Sequence, residues 1–384
     1  MNFGDFMIYL DNAATSGKKP ERVINAVNLA LRKYSANPGR SGHKLSLEAS
    51  QLIFEARSAV KELFGADGEE NVVFTLNCTH ALNTVIKGVL QVGDHVIISD
   101  LEHNAVMRPL ERLKRENKIA YDIAEVDMYD DDKTADNFRK LITPKTKLIV
   151  CTGASNVIGH ILPIDKIGKL CQDNNIMLAV DAAQTAGVVP INMKKQNIDF
   201  LCIAAHKGLY APMGAGVLIA RKPIPHTIIE GGTGTASLSL IQPEDMPERL
   251  ESGTVSLPLI AGIKAGIEFV KSRGIENIYS HEFNMCRYLY DRLKRLPNIE
   301  IYSPHPRFLH TAPVISFNLK NKTSDETAGI LNGKNIAVRA GLHCAPLAHK
   351  KTLTEQNGSV RVSLGVFNTK KELDYLVNVL KIIK

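Results

Sequence analysis

The chain has 384 residues, 44% hydrophobic and 23% charged, with a formal charge of +7 and six cysteines. This composition excludes a disordered or low-complexity polymer, and dispersed lysines and arginines argue against nucleic-acid binding. No apolar stretch is long enough to span a bilayer and no charged segment precedes an apolar signal core, so a cytoplasmic protein without membrane attachment is expected.

The length suits a large α/β domain with a smaller companion. Residues 8–15 read as a short strand and polar turn, 22–34 as an amphipathic helix, 37–43 as a loop and 45–64 as a second helix. Strands are expected at 72–75, 95–99, 120–126, 148–152, 177–180, 200–204 and 215–220, with helical stretches between most of them. That alternation predicts a mainly parallel sheet with helices on both faces. Residues 230–254 lack periodicity and carry Pro243 and Pro247, so they read as a long functional loop. Helices at 260–272 and 275–296 lead to strands near 314–319 and 336–338. A closing helix begins at about Lys370 after the N-cap pair Asn368 and Thr369. The expected division is a large domain, 16–258, and a smaller α+β domain built from 1–15 and 259–384.

The cysteines are scattered without metal-ligand spacing, so no metal site is expected. Cys151, Cys171, Cys202 and Cys286 read as small apolar fillers.

Three strand ends carry the chemistry. The apolar run from Phe200 stops at His206-Lys207-Gly208, which delivers Lys207 to the C-terminal end of a strand, where a desolvated amine becomes nucleophilic towards a carbonyl. The run from Met177 ends in Asp181, a carboxylate needing a cationic partner, which a protonated pyridine nitrogen supplies. The strand 71–75 breaks into Leu76-Asn77-Cys78-Thr79-His80 and opens a helix, an arrangement that binds phosphate through backbone N–H groups. Together these suit pyridoxal 5'-phosphate (PLP).

Leu10-Asp-Asn-Ala-Ala-Thr15, Glu102-His103-Asn104-Ala105, Ala154-Ser-Asn156-Val-Ile-Gly159, Asp181-Ala-Ala-Gln184, His206-Lys207 and Arg339-Ala-Gly-Leu-His-Cys344-Ala follow one another in order. In these motifs the chain resembles class V aminotransferase-fold, PLP-dependent cysteine desulfurases. The short segment between Cys344 and Arg361 is similar to the SufS-like branch, which includes selenocysteine lyases. The resemblance implies the type I fold of PLP-dependent transferases and removal of sulfur from L-cysteine, giving L-alanine and a persulfide on Cys344. It implies that Lys207 bonds the cofactor and removes the α-proton, and that His103 stacks on the ring and assists proton transfer. Asp181 is expected on the ring nitrogen, Asn156 and Gln184 on the phenolic oxygen, and Thr79, Cys78 and His206 around the phosphate. Arg361 is expected to clamp the substrate carboxylate, with Asn156, Arg339 and Asn12 lining the substrate site. His43 reads either as a loop residue facing the cofactor or as a solvated one. Cys344 lies in an accessible loop beside Arg339 and His343, and cationic neighbours favour thiolate.

The resemblance further implies a homodimer in which Thr254 touches the neighbouring subunit's phosphate, and a sulfur-acceptor protein as partner. The chain departs from the pattern at Ala204, Cys78, His80, Gly153, Leu342 and Ala211. A selenocysteine lyase would use the same residues. An aminotransferase or epimerase of the same fold would not need Cys344, and a non-catalytic scaffold with a degenerate phosphate cup is the reading from another class.

Overall fold

The computed structural model describes residues 7–34, 36–39 and 42–383. Arg40 and Ser41 of the expected loop, and residues 1–6 and 384 of the expected small domain, lie outside them. In chain order the first elements are β1 (Ile8–Tyr9), α1 (Glu21–Lys33), α2 (Lys44–Phe64), β2 (Val72–Thr75), α3 (Cys78–Val89), β3 (His95–Ser99) and α4 (Asn104–Arg115). There follow β4 (Ala120–Ala124), α5 (Asp131–Lys140), β5 (Thr146–Thr152), α6 (Ile164–Asp173), β6 (Met177–Asp181), β7 (Phe200–Ala204) and β8 (Gly216–Ala220).

Strands β2 to β8 form one seven-stranded sheet in the order β2-β8-β7-β6-β5-β3-β4. All neighbours are parallel except β8, which runs antiparallel to both β2 and β7. The side-chain period of two divides each buried strand between two cores. In β7, Leu201 and Ile203 join the core under α1, α2, α5 and α6, while Phe200, Cys202 and Ala204 face α3 and α4. Burying such side chains contributes about 1.5–3 kcal/mol each, so every strand in the middle of the sheet is held from both sides.

The chain then forms α7 (Leu257–Arg273), α8 (Ile275–Leu293), β9 (Ile299–Ile301), β10 (Val314–Leu319), α9 (Ser324–Asn332), β11 (Ile336–Ala337), α10 (Pro346–Lys351), β12 (Val360–Ser363) and α11 (Lys370–Ile382). Strand β10 lies between β12 and β9, antiparallel to both, and α8 and α11 cover this small sheet. Strand β1 pairs in parallel with β11, which ties the first described residues to the same unit. Helix α7 begins at Leu257 and straddles the expected division after residue 258; it packs on α1 and α2, and Ile260, Ile263 and Ile267 share the large sheet's core. Thr369 caps α11 and accepts from the Glu372 N–H, while the Glu372 carboxylate accepts the Thr369 N–H. No helix among the described residues is long and apolar enough to cross a membrane.

Candidate active site

The C-terminal edge of the large sheet faces the small unit, and chemically useful groups collect between them. The chain turns at once after β7, so Lys207 N donates to Ala204 O at 3.1 Å and Tyr210 N to Lys207 O at 2.9 Å. This turn lies against the one following β6. A Cβ at Gly208 would come within 2.3 Å of Ala186 O, and a Cβ at Gly187, whose φ is +81°, would meet Gly208 O at 2.3 Å. Only glycine on both sides allows that approach. Lys207 lines a cavity with Asn12, Ala13, Gln184, Glu282 and Ser363. Burial pushes its ammonium below the ordinary lysine range, and the negative charge of Asp181 opposes the shift.

Asp181 ends β6 and is buried. Its Oδ1 accepts Ala183 N–H at 2.9 Å and the Cys78 thiol at 3.3 Å. Cys78 opens α3, whose N-cap Asn77 accepts the His80 N–H at 2.9 Å. Thr79 is exposed in the first turn of the same helix. His206 has a buried Nδ1 without a protein partner, and burial, with Lys207 and Lys19 nearby, pushes its imidazole down to about 4. Its carbonyl accepts Thr15 Oγ1 and Ser16 Oγ, both at 3.1 Å, and Lys19 Nζ at 3.0 Å, so the N-terminal segment is laced to the Lys207 turn.

His103 caps α4 and its Nδ1 accepts Ala105 N–H at 3.0 Å, which leaves the hydrogen of the neutral ring on Nε2. Burial lowers its imidazole, while the Asp181 charge acts upward and Lys207 and Arg339 act downward. Beneath it Glu102 is fully buried, donated to by Ser99 Oγ and by Thr152 N at 2.8 Å. Burial pushes this carboxyl up to about 8.

Arg361, only 1% exposed, projects from β12. Its Nη2 donates to Asp11 Oδ1 at 2.7 Å and its Nη1 to Asn156 O at 3.0 Å, while Nε has no partner. Asn156 Nδ2 donates to His343 O at 2.7 Å, and Gln184 Nε2 donates to Ala13 O at 3.1 Å. Each amide nitrogen keeps a second hydrogen for another acceptor. Asn12 binds Ser363 O and Asn368 Oδ1, both at 3.1 Å, and so anchors the N-terminal segment to the end of β12.

The loop between β11 and α10 brings an exposed Cys344 to this edge. His343 and Cys344 have φ of +48° and +58°, left-handed values that cost a non-glycine residue about 1–3 kcal/mol unless neighbours hold them. They are held from the large sheet: Asn156 takes His343 O, and Asn104 N donates to Cys344 O at 2.7 Å. Arg339 Nη2 lies 4.0 Å from Cys344 Sγ. His343, expected as a possible cation, is buried with Nε2 3.0 Å from Ser359 O. Burial, with Arg361 next in weight, drives its imidazole down to about 2, so Arg339 is the charged neighbour of the two.

Of the candidates, Lys207, Gln184 and Asn12 line the Lys207 cavity itself, and two others lie away from all the groups described above. His43 caps α2, accepting Ser46 N–H at 3.2 Å, and is exposed. Thr254 is exposed in a different cavity, with Arg57, Glu251, Thr233 and Thr235. Glu282 was missed as a cavity residue; nothing in the helical pattern 275–296 distinguishes it from a solvated glutamate.

The family model of class-V aminotransferases matches residues 8–376. A protein of Pyrococcus abyssi described as a probable cysteine desulfurase is 32% identical, over 98% of this chain and 94% of its own. The cysteine desulfurase of Haloferax volcanii is 30% identical over 97% of this chain and 88% of its own. Among solved structures, the apo cysteine desulfurase of Thermococcus onnurineus NA1 superposes with a TM-score of 0.90 at 32% identity, covering 98% of this chain and 94% of the other.

Proposed function

The chain belongs to the class-V aminotransferase family, and from that membership we propose a PLP-dependent cysteine desulfurase acting on L-cysteine, with Lys207 and Cys344 as its reacting side chains. The observation that carries the proposal is the meeting at one sheet edge of a desolvated lysine, a buried aspartate and an exposed cysteine beside a guanidinium.

The residues fit the cofactor. No described side chain forms a salt bridge with Lys207, so its amine is available to an aldehyde, and no described protein group donates to Asp181 Oδ2, which can accept a ring N–H. The orphaned Nδ1 of His206 and the N-terminus of α3, with Cys78 and Thr79 in its first turn, suit a phosphate. Bound there, PLP supplies an electron sink that makes the α-proton of an amino acid acidic.

The chain's own groups divide the remaining work. Arg361, with an uncommitted Nε–H, receives the substrate carboxylate beside Asn156. Lowered by burial, the Lys207 amine is a competent base for the α-proton, and neutral His103 holds a hydrogen on Nε2 for exchange. Cys344 Sγ, beside the Arg339 guanidinium, attacks the substrate sulfur. The Sγ–S bond forms as the S–Cβ bond breaks, leaving a persulfide on Cys344, and the carbon side gains protons to become alanine.

We further propose a homodimer in which Thr254 serves the neighbouring site, since Thr254 lies outside the Lys207 cavity and the same loop exposes Leu238, Leu240 and Ile241. A sulfur-acceptor protein would take the terminal sulfur from the exposed Cys344. The free cysteines agree with a reducing, cytoplasmic setting.

The test is to treat purified protein with PLP and borohydride, map the adduct, and then, on untreated protein with a thiol reductant present to release persulfide sulfur as sulfide, assay alanine and sulfide from cysteine together. An adduct on Lys207 with equal yields of both products is expected. Labelling of another lysine alone, or alanine without sulfide, would refute the assignment.

A further inference from the structure

The two oxygens of Asp181 have different surroundings. Oδ1 receives two donors, Ala183 N–H at 2.9 Å and Cys78 Sγ–H at 3.3 Å, whereas no described protein group donates to Oδ2. Both side chains are buried, so the thiol is shielded from competing water. Burial and the adjacent Asp181 charge push the Cys78 thiol well above its ordinary range, which keeps its hydrogen on sulfur. The side chain expected in the phosphate cup therefore bonds elsewhere, to the carboxylate.

We propose that Cys78 is a positioning residue that, with the Ala183 N–H, fixes the Asp181 carboxylate so that Oδ2 alone faces the cofactor's ring nitrogen. This rests on the PLP reading above. A carboxylate turning about its terminal torsion has a broad preference, and two donors on one oxygen narrow it. A thiol is a weak donor, so it orients Oδ1 while drawing little charge from the group. Oδ2 is left without a described protein donor and free to accept the ring N–H. A hydroxyl in its place would still orient the carboxylate, and a methyl group would not.

The experiment compares wild type, Cys78→Ala, Cys78→Ser, Asp181→Asn and the Cys78→Ala/Asp181→Asn double variant. Equilibrium dialysis gives the PLP dissociation constant, and pH titration of the visible absorption of the bound cofactor reports the ring environment. Cys78→Ala is expected to weaken PLP binding by about three- to tenfold, the range of one ordinary hydrogen bond, the thiol being a weak donor, and to shift the absorption titration. Cys78→Ser should recover affinity to within about twofold, as a retained donor requires. In the Asp181→Asn background the alanine change should have no further effect, because the coupling runs through the carboxylate. Wild-type values in Cys78→Ala would overturn the inference, and so would an undiminished loss in the Asp181→Asn background. Absence of PLP uptake by the wild type would instead overturn the cofactor reading and this inference with it.

Discussion

Replacing Glu282 by glutamine should make the protein more stable at alkaline pH. Glu282 sits on α8 with 2% exposure, its Oε2 has no partner, and it shares the cavity of Lys207. Burial raises its carboxyl from 4.5 to about 8, opposed only by the Val366 backbone N–H. The folded protein therefore prefers the protonated form. Below pH 4.5 both folded and unfolded chains carry the proton, and the stabilising contribution is complete. Between 4.5 and about 8 the unfolded chain ionises while the folded one does not, so stability falls by about 1.4 kcal/mol per pH unit. By pH 8 the loss approaches ~5 kcal/mol. Glutamine keeps a carbonyl for the Val366 N–H and has no charge to bury. Thermal melting of both proteins from pH 5 to 9 should give nearly equal Tm at the acid end. The variant's lead should widen to several degrees, roughly, by pH 8 and stay constant beyond. Glu102, raised in the same direction, is common to both proteins and cancels. A Tm difference independent of pH would refute the buried, unpaired carboxyl.

Cys344→Ser should retain PLP and still bind cysteine, while single-turnover sulfide release, measured with a thiol reductant present, falls at least ~10²-fold, as expected on removing the nucleophile of a covalent mechanism; undiminished release would remove Cys344 from the reaction. Ala204 ends β7 on the side of α3, so Ala204→Ser puts a hydroxyl near the phosphate-binding turn; PLP should bind up to about tenfold tighter by dialysis, and equal or weaker binding would mean that the cup is built around alanine. Leu240→Glu places a charge on a fully exposed aliphatic side chain of the 230–254 loop; light scattering should show a shift from dimer to monomer with poorer PLP retention, and an unchanged mass would exclude that loop from the interface.

Strand ends were legible because buried parallel strands read as short apolar runs stopped by polar or glycine-rich turns. The bounds of β2, β3 and β7 match those expected from residues 72–75, 95–99 and 200–204. The same rule drew attention to Lys207 and Asp181. What escaped was decided by contacts remote in sequence. Strand β12, Val-Arg-Val-Ser, carries a charge inside a buried pattern, and Arg361 tolerates this because Asp11, 350 positions away, reaches its guanidinium. Strand β9 has three residues and α10 six, too few for a period to emerge. His343 looked like a cation in a loop, but burial beside Arg361 makes it neutral. The capture of Cys344 O by Asn104 N joins two segments that no local pattern connects.

In the proposed reaction, the same contacts link the lysine turn of the large sheet to the cysteine loop of the smaller unit. Asn156 stands between them, giving its carbonyl to Arg361 and its side-chain amide to His343 O. Arg361 in turn holds Asp11 in the N-terminal segment, and that segment is bonded to His206 next to Lys207. Each reacting side chain is thus tied through at most a few hydrogen bonds to the arginine proposed to hold the substrate. A carboxylate arriving at Arg361 enters a network already holding one acidic partner, so it must share the guanidinium with Asp11 or displace it. The same guanidinium holds the Asn156 carbonyl, and the side-chain amide of that residue holds the left-handed pair that carries Cys344. In the proposed reaction Asn156 therefore adjoins both the arginine assigned to the substrate carboxylate and the loop that carries Cys344.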